Sequence, residues 1–198
     1  MKRIARLLTQ LVLSGCLLMV TGCLYDSAPS GPVRGIDTWL LGQWQASDSS
    51  GNAATATVAP GDASHYRITF TGKNGHQIHH FDAWLSRVDD FSILVLKSLD
   101  GESTGKHLLL HHELLSPSHA PPGGVGATRI RISELQLDPS VQSLNPYNLR
   151  KAIREALKRG DLLAPYNVVT DRKSGGGTIP GSVIWTRTGS VALNGETF

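Results

Sequence analysis

Tyr66-Arg67-Ile68-Thr69-Phe70-Thr71 alternates without a break: Tyr66, Ile68 and Phe70 fall on one side, Arg67, Thr69 and Thr71 on the other. A period of two is the spacing of a half-buried β-strand, and Lys73-Asn74-Gly75 behind it is a hairpin signal. The return run, Ile78 to Val88, places Phe81, Ala83 and Leu85 on one face. Asp89-Asp90 then turns it into Phe91-Ser92-Ile93-Leu94-Val95-Leu96, a dense apolar run. Working outward, Ala53 to Ala59 reads as a strand on the N-terminal side. On the C-terminal side Leu99-Asp100-Gly101 starts a turn, and His107 to Leu115 and Thr128 to Leu135 read as two more strands. The Pro/Gly-rich stretch from Ser116 to Gly124 separates them as a loop.

One helix is expected, at about 146–159. Asn145 suits its N-cap, and Pro146 fits the first helical position, where its missing N–H costs nothing. Leu149, Ile153 and Leu157, with Ala152 and Ala156, make an apolar stripe. Lys158 and Arg159 lie at the negative end of the dipole, and Gly160 can close the helix. After it come Tyr166 to Thr170, the loop Gly175-Gly176-Gly177 and a closing strand, Val183 to Arg187.

Several consecutive strands, one late helix and a last strand predict a mainly β fold. The sheet should be a meandering antiparallel one that closes or nearly closes into a barrel, since closure removes exposed edges. Gly42-Gln43-Trp44, placed just before the first expected strand, is similar to the Gly-x-Trp of lipocalin-like barrels. The resemblance implies that Trp44 plugs the closed end beneath an Arg of the last barrel strand, for which Arg187 is the counterpart. It lies after the helix, a departure from the usual order. Thr170-Asp171-Arg172 does not supply the second motif of that family, because no aromatic residue follows the Asp.

The chain opens Met1-Lys2-Arg3-Ile4-Ala5-Arg6, and Leu7 to Val20 is mainly Leu, Val and Met. A basic head and a short apolar body mark a secretory signal, and the run is too short and too interrupted by Gln10 to span a bilayer. It ends Val20-Thr21-Gly22-Cys23, which resembles the lipobox of bacterial lipoproteins. The resemblance implies cleavage after residue 22, a diacylglycerol-bearing and palmitoylated Cys23, and membrane attachment. Leu13-Ser14-Gly15-Cys16 is a competing match, but cutting there would leave Leu17 to Val20 exposed beside the anchor. The expected organisation is a signal peptide at 1–22, a lipidated Pro/Gly/Ser tether at 23–36 and one β domain at 37–198. Leu24 is not the Asp of an inner-membrane retention signal. In a Gram-negative host the resemblance therefore implies the outer membrane, facing the periplasm.

Processing also removes the apparent basicity. Of the 19 Lys and Arg, three (Lys2, Arg3, Arg6) leave with residues 1–22, and the remaining 16 match 16 acids. A phosphate-binding protein shows a basic surplus, so no nucleic-acid partner is expected.

Histidines are the sharpest chemical temptation. His76, His79 and His80 sit on one segment, and His107, His111 and His112 on another. Were the two strands adjacent, His79 or His80 could meet one of the second trio at a zinc or copper site. No His-Glu-x-x-His helix or cysteine supports this, so packed or solvated histidines, and no cofactor, are expected. No Gly-x-Ser-x-Gly is present, Asp89-Asp90 and Asp100-Gly101 read as turns, and Lys173 to Thr178 has phosphate-loop residues in the wrong order. No catalytic residue is assigned. The helix carries Arg150, Lys151, Arg154, Lys158 and Arg159 against Glu155. Arg150, Arg154 and Lys158 are therefore candidates for contact with an anionic surface. Two functions follow: a non-enzymatic interaction module filled by its own side chains, or a carrier of a small apolar ligand in the interior.

Overall fold

Alternation builds the wall. The run Tyr66–Thr71 forms β3, bonded on one side to β2 (Ala53–Pro60) and on the other to β4 (Ile78–Val88). The chain continues through β5 (Phe91–Ser98), β6 (His107–Leu115), β7 (Arg129–Glu134) and β8 (Ser182–Gly189). Each strand is antiparallel to the last, and β8 pairs back onto β1 (Gly42–Ser47), giving a closed barrel of eight strands. A two-stranded pair, β9 (Ala192–Leu193) and β10 (Glu196–Thr197), follows it. This computed structural model describes residues 24–33, 35–47, 53–72, 78–115, 129–163, 182–189, 192–193 and 196–197. The expected segments Tyr166–Thr170 and Gly175–Gly177, the hairpin residues Lys73-Asn74-Gly75 and the loop 116–128 lie outside them.

The mainly β barrel with one late helix agrees with the sequence reading, with one correction. Gly42 to Ser47 is not a lead-in but the first strand, the one that closes the ring by pairing Trp44 with Ala56 on one side and Arg187 on the other. Its alternation is short, Gln43 and Gln45 against Trp44 and Ala46, and begins with a glycine that weakens the strand signal.

Side chains pack in two clusters, one on each face of the wall. Inside lie Trp44, Tyr66, Phe81, Leu85, Leu96 and Ile130, with Leu40 and Leu41 beneath them. Outside, Trp84, Ile93, Val95 and Leu109 meet α1 (Pro146–Arg159) through Leu149, Ile153 and Ala156. The unbroken apolar run in β5 follows from this, since a strand covered on both faces has no polar side to alternate. Asn145 Oδ1 accepts from the Asn148 N–H at 3.0 Å, and Gly160, at φ 76°, ends the helix by donating to the Ala156 and Leu157 carbonyls.

Part of the stretch expected as a tether, Leu24 to Ser30, lies against the barrel. Tyr25 is 0 % exposed and bridges His107 through two backbone hydrogen bonds of 2.9 Å. Asp26 N–H donates to Gln142 O, Ser27 Oγ to Leu144 O, and Val33 N–H to Leu85 O. Trp84 Nε1 donates to Ser30 O, and the Ser30 and Ser86 hydroxyls lie 2.6 Å apart. Tyr25–Val33 is therefore a strap across the outside of the barrel. Pro, Gly and Ser suggested slack, but the buried Tyr25 and the backbone pairing decide otherwise.

Candidate functional site

Buried side chains close the base of the barrel. At the base, the 3-10 turn Thr38–Leu40 carries the chain beneath the wall, and Leu41 is fully buried. Trp44 Nε1 donates to Leu40 O at 2.9 Å, and the indole is 2 % exposed. Arg187 stands over that ring, its Cζ 5.5 Å from the centroid, and its guanidinium donates to the Trp39 and Leu41 carbonyls. The Asp37 N–H donates to the Tyr66 hydroxyl at 2.7 Å, and burial, the chief cause, pushes the Tyr66 phenol above its ordinary pKa. Trp39 packs on His112 with ring centroids 5.6 Å apart. Gly42 has φ 136°, and a Cβ there would meet Gly189 O at 2.7 Å, so the close approach of β1 to β8 needs this glycine.

Enclosure inside the barrel is uneven and does not run from base to rim, since Phe81, Leu96 and Leu108, toward the far rim, are only 5–8 % exposed. Phe70, Leu110, Ile132 and Trp185 pack against the inner cluster but remain only partly buried. Phe70 and Trp185 are separated in the wall by β1 and β2, and their rings meet edge-on at 5.7 Å, across the interior. Glu134 pairs with Leu110 in register and so continues the inner face, a carboxylate among isoleucines. Its place was readable from Ile130-Arg131-Ile132-Ser133-Glu134, which puts it in step with both isoleucines.

At the far rim, Asp100 sits between two histidines of β4. His80 Nδ1 lies 2.9 Å from Asp100 Oδ2, and His79 Nδ1 lies 3.8 Å from Oδ1. Burial works against ionisation of Asp100, but the His80 side chain and backbone N–H, with His79 near, outweigh it and hold its pKa below the ordinary carboxylate value. The turn reading of Asp100-Gly101 missed this contact, which depends on the β4–β5 register.

Among the described residues the two histidine sets do not meet as a metal site requires, because β5 stands between β4 and β6. His107 faces outward, edge-on to Trp84 at 5.9 Å, and desolvation lowers its pKa. His111 stacks on Phe91 at 4.6 Å, and His112 points inward at the base. No group of three metal-ligating side chains occurs among the described residues, and His76 lies outside them. On α1, Arg154 is bound by Asp89 through two hydrogen bonds of 2.9 and 3.1 Å, and Lys158 meets Glu155 at 3.2 Å. Two of the three cations considered for an anionic surface are thus already paired. Arg150 is half-buried on the same helix. Cys23, Lys173–Thr178 and Thr170–Arg172 lie outside the described residues.

No family model, curated protein or solved structure matches this chain.

Proposed function

We propose that this chain is a membrane-anchored envelope lipoprotein whose lipocalin-like barrel binds a small, largely apolar ligand without performing chemistry on it. The uneven enclosure of the interior carries this reading. The base is sealed, with Leu41, Trp44 and Tyr66 at 0–2 % exposure, whereas the inward-facing Phe70, Leu110, Ile132 and Trp185 keep accessible surface. An eight-stranded barrel has an interior of a size to be filled by side chains or to hold one small ligand. Apolar and aromatic walls with a few placed polar groups, here Glu134, suit the second use. The anchor reading is supported by Val20-Thr21-Gly22-Cys23 and by the loss of the basic surplus on cleavage. In a Gram-negative host the location proposed is the outer membrane, facing the periplasm.

Native mass spectrometry of the protein extracted from membranes tests the ligand reading. A bound species of low mass, displaced by an apolar dye with a change in Trp185 emission, is expected. A bare chain that leaves every such dye in solution would point to the other use, an interaction module with a self-filled interior. The Phe70–Trp185 contact favours that second reading, since it occupies space a ligand would need. For the anchor, Cys23→Ser is expected to abolish labelling by radioactive palmitate and to accumulate uncut precursor.

A further inference from the structure

We infer that the far rim of the barrel, opposite the Trp44–Arg187 plug, stands directly on the lipid surface that holds the anchor. This rests on the reading of Cys23 as the lipidated residue and adds how the domain is posed there. The partner is the bilayer itself.

Tyr25 pairs with His107, the first residue of β6, and so lies at the far end of the wall. Its side chain belongs to the outer cluster, while Leu24 packs against the inner one. The chain thus crosses the rim between these two residues. Consecutive Cα atoms are about 3.8 Å apart, so a lipid on Cys23 leaves the protein within one residue of the rim. Past Tyr25 there is no slack, because residues 26, 27, 30 and 33 are each hydrogen-bonded to the barrel or to the segment leading into α1. A flexible linker of n residues lets a domain wander by about 5–6 Å × √n, and here n is about one.

Apolar side chains are exposed at both ends, Leu114 at the base being 54 % exposed, but those of the far rim lie beside the attachment point. Ile78, which opens β4, is 53 % exposed, and Leu99, in the β5–β6 turn, is 39 % exposed. The Leu99 N–H donates to His80 O at 2.9 Å, which ties that turn to the start of β4. Beside a lipid attachment point, such side chains favour the headgroup–acyl boundary over water. A ligand reaching the interior past this rim would come from the lipid phase.

The full chain, made with its export segment and purified in acylated form, allows a direct test. Leu99→Cys at the rim and Asp90→Cys at the base each receive a maleimide dye, Cys23 being blocked by its lipid and Cys16 removed with the signal. In phosphatidylethanolamine–phosphatidylglycerol vesicles, the rim dye is expected to lose quenching by aqueous iodide and gain it from headgroup spin-labelled lipid. The base dye is expected to behave as in detergent. A Gly-Ser linker of about 20 residues between Cys23 and Leu24 should restore iodide access at the rim. Acylated, vesicle-bound protein with both dyes equally open to iodide overturns the pose and leaves the anchor standing. Protein that carries no acyl group and does not float with vesicles overturns both.

Discussion

The Arg187 guanidinium, from the last barrel strand, lies 5.5 Å from the centroid of the Trp44 ring in the first, and the two residues are also paired in the β1–β8 register. One contact therefore joins the seam of the barrel to its floor. Trp44→Ala is expected to lower the unfolding free energy by about 3–5 kcal/mol, the usual cost of deleting a buried large aromatic. Trp44→Phe keeps most of the packing but leaves Leu40 O without its indole donor, a loss of about 1 kcal/mol plus the missing ring volume. Urea unfolding followed by circular dichroism measures both, and an Ala variant as stable as the parent would deny Trp44 its place in the floor.

Gly42→Ala tests the seam itself. At φ 136°, with Gly189 O only 2.7 Å from the position of a new Cβ, the backbone must shift at the point where the ring closes. Strain of this kind costs about 1–3 kcal/mol. A lower melting temperature together with faster amide exchange in β1 and β8, but not in β4 and β5, is the expected pattern.

The outer cluster should be separable from the barrel. Ile153→Ala removes a fully buried contact between α1 and the wall, at a cost of about 2–5 kcal/mol. Tyr25→Ala is expected to free the strap first, so that limited proteolysis cuts within residues 24–33 while the strands stay protected. Simultaneous cleavage of strap and strands would show that the two do not open independently.

Acid should loosen the strap through His107. Desolvation of this half-buried ring, the main cause, lowers its pKa in the folded state, and Lys97 adds to the shift. Hydrogen bonding with Tyr25 O and the charge of Asp26 oppose it. The unfolded chain then binds the proton more readily, so stability is full above the ordinary histidine pKa of about 6.5 and falls as pH drops toward the folded value. The melting temperature of the parent should decline over that interval more steeply than that of His107→Gln. Parallel curves would remove His107 as the source.

Much of the wall was legible because its signals are local. Tyr66–Thr71 alternates within six residues, and Asn145, Pro146 and Gly160 mark both ends of α1. What escaped depends on neighbours distant in sequence. The Asp100–His80 contact exists only because a turn folds back beside β4. The packing of Tyr25 was not legible for the same reason, since Pro29, Ser30 and Gly31 are flexible by composition while Tyr25 is held by backbone hydrogen bonds to His107. The dense run Ile93–Leu96 did contain a missed clue, because a strand without a polar face needs a second covering element, and α1 supplies it.

Ring closure also sets an order of events in time. Gln43 finds its partner at Gly189, so the first strand has no mate on one side until β8, the eighth strand of the wall, has been made. Contacts this distant in sequence slow folding, and until β8 arrives both β1 and β7 present unpaired edges that can join another chain. The barrel that is edgeless when complete is thus most prone to aggregate just before its last strand docks.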